Sequence, residues 1–248
     1  MSKISIIMPA YNEERRIGKT LEEYISFFDA LKQQQLLDFE IVVVLNGCVD
    51  NTIKVVQSVQ EKFGNCVIVD LKNAAGKGLA IRAGFLDALR RPNNFIGFVD
   101  ADMATSPQAF FDLFRHIEFY DGIIASRYMK GAKIHPPRPK IKRWGSWLIY
   151  ESLIKLLFGL SYHDYQCGAK LFKRHTIETV TPHMEMTKWA FDVEILYLCK
   201  KFGFKIREFP TEWYDKEGSK LRMSSGFRML ASLVKLRLRH SIFRNFFT

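Results

Sequence analysis

Two acidic residues separated by one position, Asp100 and Asp102, directly follow the apolar run FIGFV. At the end of a strand, this spacing brings two carboxylates close to one point. Hard cations such as Mg²⁺ and Mn²⁺ take oxygen ligands and usually keep a phosphate as a further ligand. A cation held there neutralises a diphosphate as it departs. Turns also collect Asp residues, so it is the apolar run before the pair that favours a metal site.

Polar residues also follow three other apolar runs of the first half. The segment PAYNEE begins at Pro9, the segment NGCVDNT follows the second run from Asn46, and Lys77 stands between Gly76 and Gly78. A lysine flanked by glycines before a helix brings a cation and backbone N–H groups to a phosphate. The spacing is not that of a P-loop, and an ordinary turn at the start of a helix is the alternative interpretation.

Strand-like and helical patterns alternate along the first half, and these elements must position the polar segments. The predicted strands are 4–9, 39–45, 66–71, 95–99, 123–125 and 205–209. The predicted helices are 14–32, 52–63, 79–89, one starting at Pro107 with Ser106 as its cap, 144–160, 189–202 and 226–240. A loop rich in Pro and Lys is predicted at 131–139. The alternation predicts an α/β fold with a mostly parallel sheet, which binds ligands at the carboxyl ends of its strands.

The net charge of +11 is concentrated in two stretches without acidic residues, 127–143 and 218–248. Such stretches suit a phosphate-rich partner, which is a nucleic acid, an anionic membrane surface or a lipid phosphate. A solvated basic face is the alternative. The four cysteines form no CxxC pair, which favours reduced thiols in the cytosol over a zinc site or disulfides. No uncharged apolar run reaches 18 residues and the first residues do not read as a signal peptide, so we expect no transmembrane helix and a cytoplasmic location.

The order of the motifs resembles the inverting nucleotide-sugar glycosyltransferases with the GT-A (Rossmann-like) fold. The resemblance is closest to the branch that makes dolichyl-phosphate glucose and dolichyl-phosphate mannose. The motifs that carry it span about residues 3–223 and are ISIIMPAYNEE, NGCVDNT, AAGKGLAIRAGF, FVDADM, ASRY, DYQCGAKLF, WAFDVEILYL and EWYDKEGSKLR. The resemblance implies a GT-A domain over 1–225, and the pattern of apolar and basic residues after it predicts a basic C-terminal amphipathic helix over 226–248.

The resemblance also implies which residues bind the nucleotide-sugar. These are Pro9, Ala10, Tyr11, Glu13, Asn46, Asp50, Lys77, Asp100, Ala101 and Asp102, with Asp100 and Asp102 as ligands of Mg²⁺ or Mn²⁺. The family's second loop usually has an Asp-Asp pair, whereas this chain has Leu45 and Asn46, and an Asn side chain can still hydrogen-bond a base edge. Some relatives add a metal-binding Gln where this chain has Ala104. We therefore expect modest metal affinity without nucleotide.

For the acceptor, the resemblance implicates Arg127, Arg143 (or Lys142), Ser146 and Lys220. Asp102 and Asp164 are the residues that it implicates in catalysis, Asp164 either in the reaction or in orienting the acceptor. Helix residues Trp189, Asp192 and Glu194 match a family motif with a partly structural role. A sugar hydroxyl needs a general base, whereas a phosphate monoester, with a second pKa of about 6, is already anionic at neutral pH. The acid-free basic stretch 127–143 therefore favours a phosphate acceptor.

Taken together, we expect metal-dependent transfer of a hexose from a nucleotide diphosphate-sugar to a polyprenyl phosphate. UDP-glucose is favoured as donor, and GDP-mannose is next. The segments 144–160 and 226–248 suit interfacial helices, which predicts peripheral attachment to the cytoplasmic face of an anionic membrane. Packing of these helices on the core or on a second subunit is the alternative.

Two other functions stay open. One is a glycosyltransferase that acts on a saccharide or protein hydroxyl, and the other is a non-catalytic basic protein that binds nucleic acid. The sequence has no nucleic-acid module motif, and its aromatic residues follow core spacing. We therefore expect no nucleic-acid partner.

Overall fold

The apolar runs of the sequence form the strands of a mixed sheet in the computed structural model, which describes residues 1–72, 76–137, 145–186, 188, 190–215 and 224–240, without the side chains of 145–149 and 224–229. The strands are β1 Lys3–Ala10, β2 Asp38–Asn46, β3 Cys66–Leu71, β4 Phe95–Val99, β5 Gly122–Ser126, β6 Lys133–His135, β7 Ala169–Lys173, β8 Ile206–Pro210 and β9 Glu212–Tyr214. The helices are α1 Ile17–Gln33, α2 Thr52–Phe63, α3 Lys77–Ala88, α4 Pro107–Arg115, α5 Gly145–Phe158, α6 Arg174–Val180, a 3₁₀ turn at Thr181–His183, α7 Phe191–Lys201 and α8 Ser224–Arg239.

The main sheet has the strand order β3-β2-β1-β4-β7-β5-β8. Its strands are parallel except β7, which runs antiparallel between β4 and β5. Because β4 and β5 are both antiparallel to β7, they point the same way, and their carboxyl ends lie at the same edge as those of β1 and β2. This edge is where the polar segments of the sequence meet. Strands β6 and β9 pair separately.

Both faces of the sheet are covered by helices. On β1, Ile4, Ile6 and Met8 join a buried cluster with α1 and α4, whereas Ile7 joins the cluster on the opposite face with α3 and α7. Burial on both sides explains why the strands read as continuous apolar runs rather than as alternating patterns. The predicted α/β class with a mostly parallel sheet is confirmed.

Several predicted elements differ in detail from the observed ones. The predicted 131–139 loop contains β6, and β7 was not predicted, because two lysines interrupt its apolar pattern. The cap of α4 is as predicted: the Ser106 hydroxyl accepts a hydrogen bond from the Ala109 N–H at 3.2 Å, and Pro107 occupies the first turn. Among the described residues, no helix is both long enough and apolar enough to cross a bilayer.

Candidate active site

The loops after β1 and β2 are bonded to each other at the carboxyl edge of the sheet. The Glu13 N–H donates to the Thr52 hydroxyl at 2.8 Å. The Asp50 carboxylate accepts hydrogen bonds from the Thr52 N–H at 3.0 Å and from the Glu14 N–H at 3.2 Å. Burial raises the pKa of Asp50, but the hydrogen bonds from Thr52 and Glu14 outweigh it and leave the pKa lowered. Asp50, which was predicted to bind nucleotide, therefore fastens one loop to the other.

The predicted nucleotide residues at the end of β1 and in the loop after it differ in how accessible they are. Ala10 is buried, Pro9 is half-buried, and Tyr11 is 56% exposed at the mouth of the loop. The Glu13 carboxylate forms a two-point ion pair with the guanidinium of Arg16, with an Oε1–Nη2 distance of 2.7 Å. The Glu13 hydrogen bond raises the pKa of Arg16, and the nearby charges of Asp102 and Asp100 act in the same direction. Arg16 therefore places a cation beside the acidic pair.

Asn46 connects β2 to the start of α3. Its side chain is buried, and its Oδ1 accepts a hydrogen bond from the Gly76 N–H at 3.1 Å. Gly76 has a φ of 146°, a conformation that favours glycine, and it precedes Lys77, the first residue of α3. Asn46 thus positions the lysine loop, the residues from Gly76 to Gly78, through its side-chain oxygen.

Asp100, Asp102 and Lys77 meet at the end of β4. The Lys77 Nζ forms an ion pair with Asp100 Oδ1, and Asp102 Oδ1 accepts a hydrogen bond from the Ala104 N–H at 3.0 Å. Between the two acids, Ala101 is buried and its carbonyl accepts the Thr20 hydroxyl at 2.9 Å. Burial raises the pKa of Asp102, and the negative charge of Asp100 raises it further. The hydrogen bond from Ala104 and the positive charges of Arg16 and Lys77 lower the pKa by less, so that it stays raised.

This pair of carboxylates fits a divalent cation such as Mg²⁺ or Mn²⁺. The negative charge of Asp100 adds to burial in raising the pKa of Asp102, and a cation relieves such repulsion. The described part of the chain has no group of three or more His, Cys, Asp or Glu residues that could hold a metal ion. Oxygen atoms of a diphosphate and of water would therefore complete the coordination shell.

Gly168 lies directly against the Asp100 carboxylate. A Cβ atom added to Gly168 would lie 2.1 Å from Asp100 Oδ2, and the Asp100 N–H donates to the Gly168 carbonyl at 3.1 Å. Only a residue without a side chain allows this contact. The sequence marks this position by the glycine of the DYQCG motif. The need for glycine could not be predicted, because the contact arises only when β7 lies antiparallel beside β4.

A second pair of charges lies behind Lys77. Lys170 on β7 is fully buried, and its Nζ contacts Asp192 Oδ1 at 2.6 Å and the Cys167 carbonyl at 2.8 Å. Burial raises the pKa of Asp192, and the positive charges of Lys170 and Lys77 only partly oppose it. Burial lowers the pKa of Lys77, but Asp100 and Asp192 outweigh it and leave the pKa raised. Sequence reasoning missed Lys170, because a lysine within a strand is usually at the surface.

Arg127 and Asp164, both predicted from the resemblance, form a buried ion pair. Arg127 Nε and Nη2 contact the two carboxylate oxygens at 2.7 and 2.9 Å, and the Arg127 N–H adds a third hydrogen bond at 3.0 Å. Burial raises the pKa of Asp164, but the charge of Arg127 outweighs it and leaves the pKa lowered. A carboxylate stabilised in this way is a weak base. The geometry therefore favours the orienting role of Asp164 over proton abstraction.

Three predicted acceptor residues cannot be placed in this geometry. Arg143 and Lys220 lie outside the described residues, as do Lys142 and Trp189. Ser146 lies in the first turn of α5, and its side chain is outside the described part.

Comparison with known proteins identifies the family of the chain. The family model for glycosyl transferase family 2 matches residues 5–181. Dolichyl-phosphate beta-glucosyltransferase of Dictyostelium discoideum is 33% identical over 251 residues, covering 96% of this chain and 74% of that protein. The protein of the same name from Homo sapiens is 29% identical over 248 residues, covering 96% and 76%.

Solved structures share the fold at low identity. Mannosyl-3-phosphoglycerate synthase from Rubrobacter xylanophilus has a TM-score of 0.69 at 15% identity, covering 100% of this chain and 76% of its own. The mannosyltransferase PcManGT from Pyrobaculum calidifontis, solved with GDP-Man and Mn²⁺, has a TM-score of 0.60 at 15% identity, covering 95% and 62%. The matches to the family model and to these relatives and structures show that the chain belongs to glycosyl transferase family 2 and is a glycosyltransferase with the GT-A fold.

Proposed function

We propose that the protein transfers glucose from UDP-glucose to a polyprenyl phosphate such as dolichyl phosphate, with inversion at the anomeric carbon and with Mg²⁺ or Mn²⁺ as cofactor. The similarity to named dolichyl-phosphate beta-glucosyltransferases supports the sugar and the acceptor. The observation that carries the acceptor class is the buried Arg127–Asp164 pair. In this pair Asp164 is bound to an arginine, which makes it a weak base. A phosphate acceptor needs no base, whereas a hydroxyl acceptor would need one.

The donor half of the site is built from the loops after β1, β2 and β4. Tyr11 offers an exposed ring, and Asn46 keeps amide donors for the nucleotide. Asp100 and Asp102 would hold the metal ion, which when bound neutralises charge on the departing diphosphate. Lys77 then offers its ammonium to the same diphosphate, since a metal ion on Asp100 replaces the lysine as the counter-charge.

The acceptor half follows β5. Arg127 presents a guanidinium whose orientation is fixed by Asp164, so that a phosphate meets donors already in place. Since the acceptor phosphate is anionic before it binds, the residues need only orient it toward the anomeric carbon and exclude water. Arg143, Ser146 and Lys220 remain predicted members of this grip.

We also propose peripheral attachment to the cytoplasmic face of an anionic membrane. One side of each candidate helix packs inside, with Ile154 of α5 and Leu233 of α8 fully buried. The other side exposes apolar residues, with Leu156 81% exposed on α5 and Val234 50% exposed on α8, beside the exposed Lys235. Apolar and basic side chains on one surface suit a headgroup region.

A donor-panel assay tests the proposed function. The protein is incubated with Mn²⁺, a polyprenyl phosphate and radiolabelled UDP-glucose or GDP-mannose in separate tubes, followed by extraction with organic solvent. We expect label in the organic phase with UDP-glucose and a far lower amount with GDP-mannose. Label from GDP-mannose alone would overturn the donor, and no label from either would overturn the proposed combination of donor and acceptor.

A further inference from the structure

Trp213 on β9 lies beside the loop that carries the metal-binding pair. It belongs to the same buried cluster as Ala101 and Ala104, and only 7% of its surface is exposed. The next residue, Tyr214, donates its N–H to the Ala104 carbonyl at 2.8 Å. Strand β9 is thereby fixed against the loop that follows β4, two residues from Asp102.

The indole N–H of Trp213 is buried, and within the described ranges it has no hydrogen-bond partner. An indole nitrogen can only donate. A buried donor without an acceptor costs stability, and such groups are rare in native proteins. An unpaired donor beside a binding site is accounted for if a ligand supplies the acceptor atom for its hydrogen bond.

Arg127 adds a second open donor at the same place. Its guanidinium carbon lies 4.9 Å from the Trp213 ring centroid, which joins the two side chains by a cation–π contact. Asp164 uses Nε and Nη2 of Arg127, and the described part of the chain offers no acceptor to Nη1. The cluster therefore presents N–H donors from two adjacent side chains.

The charges of this cluster define the ligand that it suits. Asp164 balances the positive charge of Arg127, so the pair attracts an anion through directed hydrogen bonds more than through net charge. A hydroxyl group would need an acceptor for its proton as well as a donor. An ionised phosphate oxygen only accepts, and this matches N–H donors from two adjacent side chains.

We propose that the Trp213 indole N–H, together with Nη1 of Arg127, donates to a phosphate oxygen of the acceptor and makes Trp213 a specificity residue for phosphate over alcohol. This inference rests on the proposed function for its substrate class. Trp213 fixes the phosphate, while Asp164 acts through Arg127 as a positioning residue.

The variant Trp213→Phe tests the inference, because it removes the N–H and keeps an aromatic ring for Arg127 to stack on. With saturating UDP-glucose and Mn²⁺, we expect the KM for a short isoprenyl phosphate to rise about tenfold, the scale of one hydrogen bond to a charged group. The KM for UDP-glucose should stay within about twofold, as the donor site is untouched. Tyr214→Phe is the matched control, since it removes a hydroxyl from the next residue on the same strand and should leave both KM values unchanged.

A binding measurement on the wild-type protein separates this inference from the proposed reaction. The chain has four tryptophans, so the ¹H–¹⁵N spectrum contains four indole N–H signals, and Trp213→Phe assigns one of them. If that variant does not fold, Phe variants of the other three tryptophans assign it by elimination. We expect the Trp213 signal to move downfield on addition of isoprenyl phosphate and to stay in place with the matching isoprenyl alcohol or with inorganic phosphate at equal concentration.

The outcomes are distinguishable. A shifted signal without glucosyl transfer would support the inference and refute the proposed donor. Normal transfer with an unshifted signal and an unchanged acceptor KM in Trp213→Phe would overturn the inference and leave the proposed function standing. A lower melting temperature in Trp213→Phe with unchanged KM values would also overturn it, because the indole would then serve only the packing of the fold. An equal shift with inorganic phosphate would overturn the inference as well, because the cluster would then bind anions in general rather than the acceptor.

Discussion

Asp100 is held from two sides, by an ion pair from Lys77 and by the backbone of Gly168. Neither contact makes Asp100 a better ligand by itself. Both fix where its carboxylate lies relative to Asp102, and the metal affinity of the proposed site would depend on that placement. Residues that orient a metal ligand affect metal affinity nearly as much as the ligands do.

Gly168→Ala is expected to weaken metal binding without removing a ligand. The new Cβ would overlap Asp100 Oδ2 and force the carboxylate away from Asp102. We expect the Mn²⁺ affinity measured in the presence of UDP to fall about 10- to 100-fold. Gly18→Ala on α1 is the control, since its Cβ would meet only Val55 at 3.1 Å. Equal Mn²⁺ affinity in Gly168→Ala, or intact metal-dependent binding in a variant with both Asp100→Asn and Asp102→Asn, would contradict the metal assignment.

The Arg127–Asp164 pair predicts a pH dependence of stability. Because the pKa of Asp164 is lower in the folded protein than in the unfolded chain, its contribution is present above the usual aspartate pKa of about 3.9 and is lost as the pH falls through the folded value. Asp164→Asn should reduce the free energy of unfolding at pH 7 by about 3–5 kcal/mol, since it leaves a buried arginine unpaired.

Urea unfolding of the wild type and Asp164→Asn between pH 7 and pH 3 measures this effect. The stability difference between the two proteins should shrink as the pH falls below about 4. A difference that stays constant down to pH 3 would refute the account of the pair.

At the scale of secondary-structure elements, the sequence predicts some parts of the sheet far better than others. Strands β1, β2 and β4 were recognisable because burial on both faces makes each a continuous apolar run. Strand β7 was not, because Lys170 in its centre is buried only by virtue of Asp192, which lies far along the chain. The same limit applies to the site, where the acidic pair and Lys77 could be predicted from motifs, but the contacts of Gly168, Arg16 and Trp213 depend on pairing between distant segments.

Helix α8 is anchored to α7 through Glu194. This fully buried carboxylate accepts hydrogen bonds from the N–H groups of Glu185 and Met186, and it contacts Nε2 of His240 at 2.8 Å. The Met186 carbonyl packs closely against Gly78, the residue after Lys77. A Cβ atom added to Gly78 would lie only 2.5 Å from the Met186 carbonyl oxygen. The C-terminal helix is therefore linked to the lysine loop through one short segment.

Glu194→Ala should destabilise the protein and weaken donor binding together. The buried Met186 N–H loses its acceptor, at a cost of about 1–3 kcal/mol, and the partly buried Glu185 N–H loses the same acceptor. We expect a lower melting temperature and a raised KM for UDP-glucose. His240→Ala, which removes only the α8 partner, should lower the melting temperature by less and leave the KM near that of the wild type. Equal effects of both variants on the KM would mean that α8, rather than the 185–186 segment, controls the lysine loop.

At the scale of the whole molecule, α8 exposes the basic residues Lys235 and Arg237 beside the apolar Val234 and Leu238. Each basic residue near an anionic lipid surface contributes about 1 kcal/mol. The interaction is screened by salt, since the Debye length is about 10 Å at 0.1 M ionic strength. This predicts membrane attachment that depends on both lipid charge and salt.

Flotation with liposomes tests the attachment. The protein should float with anionic vesicles at low salt, and far less with neutral vesicles or at high salt. A variant with Lys235→Glu and Arg237→Glu should remain in the soluble fraction. The control variant with Lys19→Glu and Lys62→Glu carries the same change of charge on α1 and α2, and should float like the wild type. Wild-type protein that stays soluble at low salt would refute the membrane proposal.

The central claim is that an anionic phosphate attacks the anomeric carbon of UDP-glucose at this site. The most direct measurement supplies the protein with Mn²⁺, UDP-glucose and either an isoprenyl phosphate or the corresponding isoprenyl alcohol, and determines the anomeric configuration of the product by NMR. We predict a β-linked glucosyl phosphate from the phosphate and no product from the alcohol. A glucoside from the alcohol, an α-linked product, or no product from the phosphate would contradict the account.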